Sequence, residues 1–153
     1  CQVLQSLNII LIYGDSMLPT SIINGMNAKF AFIKPYMPVV EACGELIKKE
    51  MLGGPVINDD GELVGWISEQ ECLQVIMQVV YHNQRVATVQ DIMRKDVLSI
   101  TPNDEFMAIA EQMLQQKPKS YPVVDNNNKV IGVVNRRHIL NMLLKQLADV
   151  TKQ

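Results

Sequence analysis

Aromatic residues are scarce, 5% of 153 residues with one tryptophan, so the chain lacks the rings that stack single-stranded nucleic acid. It also lacks a cationic excess: 14 Lys and Arg stand against 16 Asp and Glu, for a net charge of −2. Nucleic acid is therefore not the expected partner. Cysteines are few: Cys1, Cys43 and Cys72, with no pair at CxxC spacing. His82 and His138 are not spaced to complete a metal site with them. Cys43 and Cys72 fall on apolar positions of predicted helices, which suits buried free thiols in a reducing, cytoplasmic compartment. No apolar run is long. Leu7–Tyr13 is too short to cross a bilayer, so no membrane association is expected. Cys1 reads as an ordinary residue rather than a lipid-modified terminus, because no polar tether follows it. The motifs of catalysis are missing too: there is no P-loop, GxGxxG, HExxH or nucleophile elbow. Gly53-Gly54 precedes a strand and does not resemble a phosphate loop. The chain is expected not to be an enzyme.

What is present is 48% hydrophobic and 20% charged, enough to bury a core. The chain is organised around Gly53–Leu73. Two short apolar strands, Gly54–Asn58 and Glu62–Ile67, flank the turn Asp59-Asp60-Gly61, a strong hairpin signal. Ser68 and Glu71 have capping-box spacing, and Leu73, Ile76, Met77 and Val80 continue at helical period. Tyr121–Leu140 repeats this strand–turn–strand–helix unit at a fixed offset of 67 residues, pairing Pro55 with Pro122 and Gly65 with Gly132. Outside the unit the register also pairs Met26 with Met93, Pro35 with Pro102 and Leu73 with Leu140, without a gap.

In chain order, residues 1–21 lie outside the repeat and read as an arm, with Val3–Tyr13 helix or strand. Residues 22–81 form the first repeat. It has a helical turn at Ile22–Met26, a strand at Lys29–Ile33 and a helix from Pro38 whose apolar face is Val39, Cys43, Leu46, Ile47 and Met51. Gly53 is the expected left-handed cap of that helix. Residues 82–88 are a short linker, which implies that the halves pack on each other. Residues 89–150 repeat the plan. A helical turn at Val89–Met93 and a strand at Val97–Ile100 precede a helix over Asp104–Gln116, capped by Asn103 or Asp104. That helix buries Phe106, Ile109, Ala110, Met113 and Leu114, and Pro118 stops it. The last helix, from Arg136 to about Asp149, buries Ile139, Leu140, Leu143, Leu144 and Leu147. The expected fold is α/β (α+β): two β-α-β-β-α repeats related by a pseudo-twofold axis, covering each other's apolar sheet faces. Clefts then fall where strand ends meet helix N-termini, positions that suit anions.

The doubled set Gly54-Pro55-Val56-Ile57, Leu63-Val64-Gly65-Trp66-Ile67-Ser68, Tyr121-Pro122-Val123-Val124 and Val130-Ile131-Gly132-Val133-Val134 resembles a tandem pair of cystathionine β-synthase (CBS) domains, or Bateman module. The resemblance covers about residues 22–147 and is closest to short stand-alone bacterial CBS-pair proteins. It implies a regulatory module that commonly dimerises and binds adenine nucleotides or related adenosyl compounds between its halves. The implied ligands are AMP, ADP, ATP or S-adenosylmethionine, acting as regulators rather than cofactors. It also implies that Ile33 and Thr101, with the Gly54-Pro55-Val56 and Tyr121-Pro122 backbones, flank the adenine; Lys34 reads as a phosphate contact or as an exposed lysine. In the family motif, Gly-hydrophobic-x-Ser/Thr-x-x-Asp, the hydroxyl meets phosphate and the aspartate accepts both ribose hydroxyls.

This sequence departs from that motif. The first repeat keeps Ser68 but carries Glu71 for aspartate; the second has Asn135 for the hydroxyl and His138 for aspartate. Ser68 with Glu71 reads first as a capping box and second as a ligand contact, two roles that can coexist, and Asn135 reads as a cap. Arg136 and Arg137 sit against the helix dipole, either as phosphate ligands or as solvated charge. His138 reads as a ligand contact or a partly buried neutral ring. If one cleft works, the expected one carries Ser68 and Glu71. Two functions follow. One is an adenosine-sensing regulatory module in a homodimer. The alternative is a non-binding dimerisation or protein-interaction scaffold with vestigial clefts.

Overall fold

The protein is described by a computed structural model over residues 21–115 and 118–151. The Val3–Tyr13 arm and Cys1 lie outside the described residues. In chain order come a 3-10 turn (Ile22–Asn24), α1 (Val39–Lys48), β1 (Gly53–Ile57), β2 (Leu63–Ser68), α2 (Glu69–His82), α3 (Val89–Ile92), α4 (Phe106–Met113), β3 (Ser120–Val124), β4 (Val130–Asn135) and α5 (Arg136–Thr151).

Each hairpin forms for the reason the sequence gives, and the two match in detail. β1 pairs with β2 and β3 with β4, both antiparallel. Their registers slip at equivalent places, Val56/Ile57 and Val123/Val124. The turn residue at each tip is left-handed, Gly61 at φ 83° and Asn128 at φ 63°; glycine and asparagine tolerate that region best. The tips meet across the pseudo-twofold axis. The Leu63 N–H donates to the Asn128 carbonyl and the Val130 N–H to the Gly61 carbonyl, each at 3.0 Å.

The segments that lead each repeat cross over. Asn27 bridges to Val133 on β4, in the other half, and Arg94 bridges to Trp66 on β2. Ile22 is buried in the second repeat's core with Phe106, Tyr121 and Val134, while Val89 is buried in the first with Ile33, Val56 and Ile67. Ile22 and Val89 are equivalent by the 67-residue offset. Each core thus borrows its lid from the other half. The Ile22–Met26 turn opens the first repeat in sequence but closes the second in space.

Close packing of these crossovers explains the paired glycines. A Cβ on Gly65 would lie 2.5 Å from Met93 Sδ and 2.9 Å from the Arg94 carbonyl oxygen, and one on Gly132 would overlap Met26 Sδ. The obstacle at Gly132 is a flexible thioether, whereas Gly65 also faces backbone fixed by the Trp66–Arg94 pair. We expect Gly65→Ala to cost about 1–3 kcal/mol and Gly132→Ala measurably less, read by urea unfolding of both variants.

Several expectations need correction. Lys29–Ile33 and Val97–Ile100 are not strands; each makes one parallel bridge, Ile33 to Val56 and Ile100 to Val123. Gly53 is a buried residue of β1 beside the Trp66 ring, and the left-handed residue after α1 is Glu50, φ 55°. α4 starts at Phe106, because the Asp104 carboxylate turns back to accept from the Thr101 N–H at 2.9 Å. The helix faces divide. Val39, Leu46, Phe106, Ile109, Met113 and Ile139 are buried as expected. Ile47, Leu73, Met77, Val80, Leu114, Leu140, Leu144 and Leu147 are exposed, because they lie on the side of each helix away from its sheet. Cys72 is buried, its thiol pushed up to about 12 by burial and the neighbouring Cys43 thiol, which is half-buried. Among the described residues no helix is long and apolar enough to cross a membrane.

Candidate functional site

The two expected clefts fall at pseudo-equivalent junctions, where a β-hairpin ends and a helix begins, and the chemistry of the two junctions differs. In the first, β2 runs into α2 at Ser68. The Ser68 Oγ accepts from the Glu71 N–H at 3.3 Å, and Glu71 Oε2 accepts from the Ser68 N–H at 3.1 Å. This is a complete capping box. The other oxygen, Oε1, accepts from Arg94 Nε–H at 2.9 Å. Both residues that the motif offers to a ligand are thus occupied within the protein. Glu69, Gln70 and Glu71 give this helix start an acidic character.

In the second, β4 runs into α5 at Asn135. The His138 N–H donates to Asn135 Oδ1 at 2.9 Å, and the Asn135 N–H donates to His138 Nδ1 at 3.1 Å. A capping box forms here too, with an imidazole in the carboxylate's place. An accepting nitrogen carries no proton, so the neutral ring is protonated on Nε2. Burial, and then the Arg137 charge, hold the His138 pKa below its usual value. A cavity of about 440 Å³ opens beside this helix start, lined by Asn27, Lys49–Gly53, Lys119, Ser120, Val133 and Asn135–His138. The size is that of a small-molecule site. Lys49, Lys119, Arg136 and Arg137 face it against a single carboxylate, Glu50. Among the described residues none of these four cations has an acidic partner within 4.0 Å.

The lowered His138 pKa makes a stability prediction. The unfolded chain takes up a proton near pH 6.5, before the folded one does. Stability from this ring is thus full above pH 6.5 and falls as pH drops below it. The melting temperature is expected to fall between pH 7 and pH 5.5, and His138→Gln to flatten that slope, as seen by calorimetry.

The other sequence-selected residues are dispersed. Ile33, Pro55, Val56, Tyr121 and Pro122 are buried in the two cores. Gly54 is buried too, packed against Leu46, Ile33 and Met51. Burial raises the Tyr121 pKa. Lys34 Nζ donates to the Asn58 carbonyl at 3.0 Å and lies 3.9 Å from Asp59, so the hairpin turn holds it. Thr101 is turned onto Asp104 through both its N–H and its hydroxyl. Only Asn135, Arg136, Arg137 and His138 of the selected set line the basic cavity. Lys49, Glu50, Lys119 and Asn27 line it too, and no motif marks them, since nothing in a repeat register says which segments face each other across the axis.

A family model described as CBS domain matches residues 21–78 and 89–145. A homoserine O-acetyltransferase of Methanococcoides burtonii is 24% identical over 140 residues, 92% of this chain and 28% of that protein. The chain spans well under half the length of that and of two other curated relatives, 38% and 17%. Among solved structures, CBSX2 of Arabidopsis thaliana in complex with AMP superposes with TM-score 0.71 at 25% identity, covering 82% of this chain and 96% of that one. The CBS domain pair of protein MJ0100 in complex with 5′-methylthioadenosine and S-adenosyl-L-methionine superposes with TM-score 0.70 at 22% identity, over 84% and 98%.

Proposed function

The chain belongs to the CBS-domain family, and on that premise we propose that it is a regulatory module sensing an anionic adenosine-type nucleotide in the cleft at Asn135–His138. The observation that carries this reading is the group of four cations on one cavity that, among the described residues, have no acidic partner within 4.0 Å. Four cations set against one carboxylate repel on balance, and an anion relieves that repulsion. The AMP bound by CBSX2 supports the adenosine class. The first cleft is not the proposed site, because Ser68 and Glu71 already bond to each other and to Arg94.

The module acts as a homodimer. Both repeats expose the same apolar stripe at equivalent positions: Ile47 with Leu114, Leu73 with Leu140, Met77 with Leu144, Val80 with Leu147. An apolar groove of about 1000 Å³ lies along it between α1 and α2, lined by Val40, Ile47 and Leu73 among others. Exposed apolar surface on this scale marks an interface, and two matched faces on one chain suit closure with a second copy. Leu73→Glu with Leu140→Glu is expected to turn a dimer into a monomer in sedimentation, with the far-UV spectrum unchanged.

The nucleotide reading is tested by thermal shift with AMP, ADP, ATP, NAD and S-adenosylmethionine at millimolar concentration. A ligand at a hundred times its Kd adds about 2.7 kcal/mol. The anionic nucleotides are expected to raise the melting temperature more than the sulfonium compound does. A flat response to all five would remove the sensing role and leave the scaffold reading, which the apolar stripe alone supports.

A further inference from the structure

The 67-residue offset allows the two clefts to be compared residue by residue within one chain. Glu69, Gln70 and Glu71 of the first are Arg136, Arg137 and His138 of the second. Two carboxylates and an amide have given way to two guanidiniums and an imidazole. At the helix start of the second cleft the side-chain acceptors are already used, Asn135 Oδ1 by the His138 N–H and His138 Nδ1 by the Asn135 N–H, as is Asn27 Oδ1 by the Lys29 N–H; the cavity's one carboxylate, Glu50, comes from the segment after α1, beside Lys49. The imidazole presents only Nε2–H. A ribose with free 2′ and 3′ hydroxyls seeks acceptors, and a carboxylate like Glu71 would serve it. Donors and cations instead serve a phosphate ester, which accepts only. Four cations also exceed what one phosphate monoester needs, since it carries at most two charges.

We propose that this cleft selects a nucleoside carrying a phosphate on its ribose 2′ or 3′ oxygen in addition to the one at 5′, with His138 and the Arg136–Arg137 pair reading the ribose phosphate. This rests on the reading that a nucleotide occupies the cleft. The neighbouring charged groups, Lys49, Glu50, Lys119, Arg136 and Arg137, leave the surroundings cationic on balance.

The test is titration calorimetry of the full chain with AMP, ADP, adenosine 2′,5′-bisphosphate and adenosine 3′,5′-bisphosphate. ADP controls for added charge at 5′. One bisphosphate is expected to bind at least tenfold tighter than both AMP and ADP, and which of the two does so identifies the ribose position. His138→Asp should fold, because a carboxylate at that position completes the box as Asp91 does with Thr88. In that variant the ratio of bisphosphate to AMP affinity is expected to fall to one or below. AMP or ADP binding as tightly as both bisphosphates, or a preference untouched by His138→Asp, overturns the inference and leaves the nucleotide reading intact. No binding of any of the four removes the nucleotide reading itself.

Discussion

Ile22→Ala is expected to destabilise the protein by about 2–5 kcal/mol, the range for emptying a fully buried aliphatic site. Ile22 is 1% exposed and contributes to a core otherwise built from residues 100–142. Removing its side chain leaves a void between Tyr121, Val134 and their neighbours that a rigid sheet cannot fill. The melting temperature should fall on the order of 10 °C for a domain of this size. Location distinguishes this from any other core truncation. Because the leading turns cross over, amide exchange should accelerate in β3 and β4, a hundred residues downstream, and least in β1 and β2. Val89→Ala should give the mirror result, smaller because valine loses less, with β1 and β2 exposed. Equal loss of protection in both hairpins would argue that the halves unfold as one unit, without separate lids.

Reversing Arg136 and Arg137 together, to Glu, is expected to cost nucleotide binding at least a hundredfold. Two cations are removed and two anions placed on a cavity whose remaining cations are Lys49 and Lys119. One charge-assisted contact contributes about 1.5–3 kcal/mol, so losing two accounts for the factor before repulsion is counted. Folding should survive. The pair begins α5, where acidic side chains suit the helix dipole better than arginines do. The variant should therefore melt at or above the parent temperature without ligand and gain nothing from it. Glu69→Lys with Gln70→Lys in the first cleft is the complementary control. It supplies charge there but leaves Glu71 held by Arg94 and Ser68, and should create little binding.

The repeat was legible because its signals are local. The Gly61 turn, the Ser68 box and the alternating strands each rest on a few adjacent residues, and a repeat shows them twice. The crossover was not legible. A perfect offset looks the same whether the Ile22 turn packs on its own hairpin or on its partner's, since Ile22 and Val89 are interchangeable in either arrangement. The outward direction of several leucines was hidden for a related reason. Helical period marks Leu73, Leu140 and Leu144 as apolar, but whether a sheet or another body covers them depends on the angle at which each helix lies on its hairpin. The site was half legible. Arg136, Arg137 and His138 stood out as departures from a motif, whereas Lys49 and Lys119 reach the same cavity from loops whose approach is set by the crossover. The expectation for Ser68 and Glu71 rests on the motif. Their geometry shows that the better match is also the more fully occupied by its own neighbours.

The most direct measurement is the number of nucleotide equivalents bound per chain, by calorimetry on the parent, on Arg136→Glu/Arg137→Glu and on Ser68→Ala/Glu71→Gln, with AMP and the two adenosine bisphosphates. One equivalent per chain, lost in the arginine variant and retained in the serine–glutamate variant, is the predicted result. Two equivalents per chain, or a single one that survives loss of the arginines and disappears with Ser68 and Glu71, would contradict it.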